Sequence, residues 1–532
     1  MHKLPMPLWL FATVAALFFL NLNGYLLFDH DEGAFSEATR GMFERNDFIT
    51  TYLNDRVRFD KPILIYWLQA ASISIFGTEV WAFRLPSALA GLSWALCIFF
   101  FARRFVDTQS AKAAVLIAAT AIGINGIAHV ATADALLNAL LAATLLSMYR
   151  FSQAPNNTQL YLIYALMALG VLTKGPVAVA IPLMVAALFF LTSGLKREFW
   201  RAIFFVPGWI VFIVIAAPWY VLEYQAQGQD FIDGFFLKHN VNRFNNAMEG
   251  HDGGFFFYPL VLPFVLAPFG ALLLRIVPTV RHIAGSRFDL LDRFLWIWFL
   301  VVLVLFSLAS TKLPHYILYG ATPLVILMAR YRSLLQSRLF SLVFPAILFA
   351  VFIAFPLLIP TIKAGLTNPI EIAVAERAGD YFDQNFAILA ALAALISLAL
   401  ILWRRFSPWF SLVMVGIVQA LFIWCVFVPT FSETQQRPVY EAAQFVKQLD
   451  VTVVTQSIDM PSFNVYLDKV TERRSLKVGE IGFAREDRLS SIDHYQILFQ
   501  SGPIVIIQRS APNANSGNQP ANTAKEDGND QP

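Results

Sequence analysis

The chain has 532 residues, of which 57% are apolar and only 14% charged, and its mean hydropathy is +0.59. A soluble domain carries roughly 25% charged residues, so there is too little polar surface here to cover several soluble domains, and a multi-spanning membrane protein is the class that composition allows. The formal net charge of +3 leaves no electrostatic footprint for nucleic acid, and two cysteines, Cys97 and Cys425, both inside apolar runs, exclude a disulfide framework and a metal-type cysteine cluster.

A bilayer crossing needs about 20 mostly apolar residues. In chain order such stretches fall at 6–28, 80–102, 111–130, 132–149, 158–174, 176–194, 202–222, 255–277, 291–309, 314–330, 337–360, 386–403 and 407–429, thirteen in all. The first is too long for a signal-peptide core, and no small-residue cleavage pattern precedes Asp29, so it reads as a retained span. With the N-terminus in the cytoplasm, the loops on that side hold seventeen Lys and Arg against four Asp and Glu. That is the basic bias of cytoplasmic loops. The opposite face then carries the first loop (29–79), turns near Asp134, Lys174 and Lys312, loops at 223–254 and 361–385, and everything after 430. Residues 433–450 read as a helix, and Val451–Thr455, Tyr495–Phe499 and Pro503–Gln508 as strands. A small α/β domain over 431–510 follows the transmembrane domain 1–430. Residues 511–532 hold almost no large apolar side chain and read as a disordered tail.

The unusual chemistry lies on that second face. The first loop opens Asp29-His30-Asp31-Glu32, and Phe35, Thr39, Met42 and Phe43 follow at helical spacing, the pattern of an amphipathic helix lying in the interface. Acidic residues favour a first turn, so capping accounts for one carboxylate. Three carboxylates and a histidine in four residues beside a span call for a use, and Asp31 and Glu32 are candidate catalytic groups. In Arg58-Phe59-Asp60-Lys61-Pro62, Pro62 suits a helix start. Asp60 could cap that helix and Lys61 snorkel; a cation there opposes the helix dipole, which points to an anion held by Lys61. Asp134 precedes an apolar span and should be paired or lie at the edge, since a carboxylate at mid-membrane costs about 2.5–3.5 kcal/mol. Lys174-Gly175-Pro176 and Lys312-Leu313-Pro314-His315-Tyr316 both place a cation at a proline turn. Each turn either anchors its helices or helps to line a cationic pocket for a phosphate. His239 and Arg243 stand four apart, on one face if helical.

Taken together, Asp31-Glu32, Phe59-Asp60-Lys61-Pro62, Tyr66-Trp67, Arg84-Leu85-Pro86, Asp134, Thr173-Lys174-Gly175-Pro176, His239 to Arg243-Phe244 and Lys312 to Leu318 resemble the lipid-linked-sugar glycosyltransferases of the GT-C fold. The likeness is nearest to the aminoarabinose transferases that modify lipid A and to the related protein O-mannosyltransferases, and it covers about residues 1–430. It implies an all-α polytopic fold of about thirteen transmembrane helices with a small outer α/β domain, in the bacterial inner membrane with the site facing the periplasm. It also implies transfer of a sugar from a polyprenyl (undecaprenyl) monophosphate to lipid A, another envelope glycan or a protein, by direct displacement with inversion. Carried over by position, Asp31 is the catalytic carboxylate, with Glu32 and Asp134 beside it. Lys61 and Arg243 hold the donor phosphate, Tyr316 lies where a phosphate-contacting tyrosine is expected, and Lys174 and Lys312 at their proline turns would add to the same phosphate pocket; Asp60 and His239 match a site for a divalent metal ion. Two departures stand out: Ala34-Phe35 occupies the place of an Arg-Tyr pair, and Asp60 that of a glutamate.

Two other functions fit a polytopic chain. A lipid or sugar transporter or flippase predicts charges at mid-membrane and inverted repeats; the polar residues here gather at one face, and no internal repeat is evident. A polysaccharide polymerase or ligase using diphosphate-linked donors shares the GT-C features. No phosphate-cradling or dinucleotide-binding glycine motif occurs in a suitable context, so no nucleotide is expected.

Overall fold

The computed structural model describes residues 6–242, 253–283 and 290–511. It is mostly helical, as composition requires. Among the described residues seven helices are long and apolar enough to cross a membrane, and Thr108–Thr120 and Ile122–Ala128, which meet at a 64° bend, form a broken span or a re-entrant loop. Several of the other expected spans coincide with shorter or interrupted helices. The 6–28 stretch is helical only over Leu8–Phe18, the 255–277 stretch divides into Phe257–Val265 and Gly270–Ile276, and the 314–330 stretch begins as a 3-10 turn, Pro314–Gly320. Pro268, whose ring nitrogen cannot donate to the preceding turn, stands in the break between Phe257–Val265 and Gly270–Ile276.

The helices sort by how much of each is covered. Val80–Phe105 and Asp134–Gln153 are 61% and 67% buried over their apolar windows, whereas Val206–Gln227 is only 22% buried and Arg338–Ala364 and Gln384–Leu402 are 28% buried. The first pair forms the middle of the bundle, and the others present apolar side chains outward, where lipid would cover them.

The helix expected in the first loop is Asp31–Arg45, but it does not lie half-immersed as an amphipathic surface helix. Residues from Glu32 to Met42 are all buried. One side packs on the helix Leu64–Phe76 and the other on the short helix Ser462–Leu467 of the C-terminal domain. The polar face that the sequence presents to water is covered by a part of the chain some 430 residues away. A two-stranded hairpin, β1 (Tyr52–Leu53) with β2 (Arg56–Val57), then turns the loop back over the bundle.

The C-terminal domain has a five-stranded sheet. Its strands are β3 (Val453–Thr455), β4 (Glu472–Arg473), β5 (Ile481–Arg485), β6 (Tyr495–Ser501) and β7 (Ile504–Arg509), in the order β4-β3-β5-β7-β6. β3 runs parallel to β4 and β5, and β7 is antiparallel to β5 and β6. The helix Arg437–Leu449 packs on one face with Val439, Ala442, Ala443 and Val446 buried. Three strand regions were expected from the sequence. β4 and β5 are the additions: the first is two residues long, and the second, Ile-Gly-Phe-Ala-Arg, carries a glycine that weakens a strand pattern.

Candidate active site

A cavity of about 710 Å³ opens where the first loop, the turns at 134, 174 and 316, and the C-terminal domain meet. Among the described residues its lining includes six Lys and Arg side chains against four Asp side chains, so its balance favours an anionic ligand.

Local structure explains why these side chains converge. Gly175 has φ +76 and its N–H closes on Val171 O, ending the helix Asn157–Lys174; Pro176 then begins Val177–Thr192. A Cβ at 175 would stand 2.8 Å from the Phe235 ring, so the turn needs glycine for space as well as for φ. Lys174 therefore sits in the last turn of one helix, and Asp134 opens its antiparallel neighbour Asp134–Gln153. Each charge suits its helix dipole, and they meet with Nζ 2.5 Å from Oδ1. The Tyr319 hydroxyl donates to the same oxygen at 3.3 Å, and His315 Nε2 lies 3.7 Å from it. The Lys174 ammonium also stands 5.3 Å from the Tyr316 ring centre, within cation–π range.

A second charged group faces this one. Lys61 Nζ donates to Asp60 Oδ1 at 2.6 Å, and Arg58 Nη2 donates to Asp60 Oδ2 at 3.0 Å. The Arg58 guanidinium lies over the Phe35 ring at 4.9 Å. Burial alone would lower the Arg58 pKa, but Tyr66, Asp60 and Asp31 around it raise it. Asp31 lies at the cavity wall, exposed, with no hydrogen-bond partner among the described residues. Asp31, Lys61, Asp134 and Lys174 are all near enough to act on His315.

Of the sequence-derived candidates, Asp31, Asp60, Lys61, Asp134, Lys174 and Tyr316 line this one cavity. Two do not. Glu32 points the other way into the bundle, where the Arg84 guanidinium donates to it through Nε and Nη2, both at 2.8 Å. Backbone N–H groups of Ala131 and Phe28 donate to it at 2.8 and 3.1 Å. Arg84 also donates to the carbonyls of Leu22, Tyr25 and Leu26. The pair is almost fully enclosed and fully bonded, a structural staple rather than a catalytic group. Lys312 is likewise buried and donates to the Ser307 and Ala309 carbonyls at 2.9 and 2.7 Å, closing the end of the helix Leu290–Leu308. Its charge satisfies helix-end oxygens that would otherwise lack partners. Arg243 and the side chain of His239 lie outside the described residues.

Sequence reasoning passed over other lining residues. Arg56, Arg58 and Lys238 add charge to the wall, and Asp459 and Arg473 come from the C-terminal domain. Arg58 was visible in the run before Pro62. Asp459 and Arg473 had no local signal, since only the docking of the domain brings them in. The docking combines polar contacts with an apolar cluster: His30 Nε2 lies 3.3 Å from Asp459 Oδ1, which also pairs with Arg473 of its own domain; Asp29 accepts from the Ser462 N–H at 3.0 Å and from its hydroxyl; and Leu27, Ile73 and Phe83 are buried in one cluster with Val439 and Phe463. The Leu27 N–H donates to the Tyr466 hydroxyl at 2.6 Å.

As to a metal ion, the described residues hold no group of three His, Cys, Asp or Glu side chains that could ligate one. Both oxygens of Asp60 accept from cations, and the side chain of His239, its expected partner at a metal ion, lies outside the described residues.

The molecule is a polytopic helical bundle with a charged cavity at one end, under a small α/β domain. Residues 60–221 match the model of the dolichyl-phosphate-mannose-protein mannosyltransferase family. An uncharacterized protein of Aquifex aeolicus is 32% identical over 61% of this chain and 73% of its own length. The undecaprenyl phosphate-alpha-4-amino-4-deoxy-L-arabinose arabinosyl transferase of Pectobacterium atrosepticum is 31% identical over 60% of this chain and 57% of its own, so the matched stretch spans under three-fifths of that relative. The crystal structure of ArnT from Cupriavidus metallidurans bound to undecaprenyl phosphate superposes with a TM-score of 0.77 at 21% identity, covering 94% of this chain and 97% of that one. The chain is thus similar in sequence to aminoarabinose transferases and shares the fold of ArnT.

Proposed function

We propose that this enzyme moves a sugar from a polyprenyl monophosphate to an acceptor in the periplasm: lipid A, another envelope glycan or a protein. The observation that carries the reading is the single cavity in which the exposed carboxylate of Asp31 stands among Arg58, Lys61 and Lys174. The family names a lipid-linked sugar as the donor class of its members, and the basic loops at the other end of the bundle support a periplasmic position for the cavity.

In this reading the bond between the anomeric carbon and the phosphate oxygen breaks, and its electron pair stays on the phosphate. Lys61, Arg58 and Lys174 stabilise the charge that develops there. The acceptor oxygen forms the new bond from the opposite side of the sugar. If it is a hydroxyl, its proton passes to Asp31; a phosphate acceptor needs no such transfer, and Asp31 then steadies positive charge at the anomeric carbon. Asp134 holds Lys174 in place through their ion pair. The polyprenyl tail lies in lipid against the outward-facing helices.

The test is transfer of label by purified protein from a radiolabelled polyprenyl-phosphate sugar to envelope lipid or protein. Asp31→Asn should reduce transfer by at least a hundredfold, the general acid–base range, with an unchanged melting temperature. Full activity in that variant would refute the assignment.

A further inference from the structure

A second cavity lies far from the proposed site. The helix Val80–Phe105 begins near Arg84 at the active end and runs 26 residues, about 39 Å at 1.5 Å per residue, so its far end is a membrane thickness away. There Asp107, Arg330, Arg332, Ser333, Gln336 and Trp409 line a cavity of about 540 Å³. Nothing in the proposed reaction uses it.

Its chemistry is that of a phosphate group next to hydrocarbon. Arg332 is held in place by donating from Nη1 to Ser110 Oγ at 2.9 Å and to the Ala329 carbonyl at 2.6 Å, and its guanidinium lies 5.5 Å from the Trp409 ring centre. Arg330 stands 3.1 Å from Asp292 and borders the same space. The one carboxylate of the lining, Asp107, caps the helix Thr108–Thr120, accepting from the N–H groups of Gln109 and Ser110 and from the Ser110 hydroxyl, and through that hydroxyl it neighbours Arg332 without a direct ion pair among the described contacts. Leu334, between the lining residues Ser333 and Leu335, is 42% exposed, and Leu339, at the start of the helix Arg338–Ala364, is 74% exposed. An inorganic anion would leave these leucines uncovered, whereas a lipid would place its acyl chain on them.

We propose that this cavity binds the headgroup of an anionic phospholipid, with the phosphodiester between Arg330 and Arg332 and a chain along the start of the helix Arg338–Ala364. Basic pockets between transmembrane helices recognise anionic headgroups in this way. The proposal does not depend on the identity of the donor or acceptor sugar.

Native mass spectrometry of the full-length protein in detergent tests it, with phosphatidylglycerol, phosphatidylcholine and inorganic phosphate as probes. Phosphatidylglycerol should be retained about fivefold better than phosphatidylcholine, the worth of one well-placed cation. Ser333→Asp and Gln336→Glu, both at exposed positions, should bring it down to the phosphatidylcholine level, and so should Arg332→Ala. Arg332→Ala also breaks the tie to Ser110, so the two exposed variants decide the matter if it fails to fold. Equal retention of the two lipids would overturn the proposal. So would phosphatidylglycerol retention that neither exposed variant changes, or its displacement by millimolar phosphate, which would mark a free-anion site.

Discussion

Asp31 and Glu32 are neighbours with opposite duties, at successive positions in the first turn of one helix. Side chains about 100° apart on a helix face different surroundings, so Asp31 reaches the cavity while Glu32 enters the bundle and meets Arg84. The consequence is measurable. Glu32→Gln or Arg84→Ala leaves a buried charge without its partner, which costs about 3–5 kcal/mol, and should lower the melting temperature sharply. Asp31→Asn should leave stability unchanged and remove transfer. Equal melting temperatures for Glu32→Gln and the parent protein would contradict the staple. A parallel contrast separates Lys174 from Lys312. Lys174→Met should impair donor use, raising KM for the lipid-linked sugar, whereas Lys312→Met should act through stability alone, since it satisfies helix-end carbonyls.

At the scale of elements, the junction between the first loop and the helix Ser462–Leu467 is a pH-dependent contact. Burial pushes the Asp29 carboxyl up to about 7, against the lowering effect of its bonds from Ser462. The hydrogen bond with Asp459 raises the His30 imidazole, with burial opposing. Burial would raise Asp459 itself, but His30 and Arg473 hold it below the ordinary carboxylate range. Groups with raised values bind protons more readily when folded, so their stabilisation is complete at low pH and fades as pH rises through the folded values; the Asp459 contribution persists above the ordinary carboxylate range and fades only in stronger acid. The Asp29 contribution is therefore complete at about pH 4 and is lost by about pH 7, and that of His30 is lost at higher pH, so the junction should be tightest at about pH 4 and loosen steadily toward pH 8. Hydrogen exchange at Ser462 and Leu27, corrected for intrinsic rates, should show greater protection at pH 6 than at pH 8.5. In Asp29→Asn that difference should shrink; protection independent of pH in the parent protein would count against the account.

At the scale of the whole molecule, exposure means different things in its two parts. Val351, in the helix Arg338–Ala364, and Val478, in the C-terminal domain, are 57% and 55% exposed. Arginine at 351 must enter hydrocarbon, at about 2.5–3.5 kcal/mol, while arginine at 478 enters water and should change stability by less than about 0.5 kcal/mol. Membrane-integrated yield should fall for Val351→Arg and stay level for Val478→Arg. Similar yields for both would mean that the helix is not lipid-facing.

The membrane class and the cluster of polar turns at one end were legible in the chain itself, because hydropathy and charge bias are local sums that need no partner. The residues of the cavity wall on the first loop and the turns at 134, 174 and 316 could be read for the same reason: each is a charge in an apolar or proline-marked setting. The roles of Glu32 and Lys312 were not legible, since a carboxylate or ammonium looks the same in sequence whether it faces a cavity or a buried partner. Nor could sequence show that Asp459 and Arg473 join the site, or that the helix Asp31–Arg45 is covered on both sides. Those outcomes depend on contacts across more than 400 residues, and only the docking of the C-terminal domain on the first loop decides them.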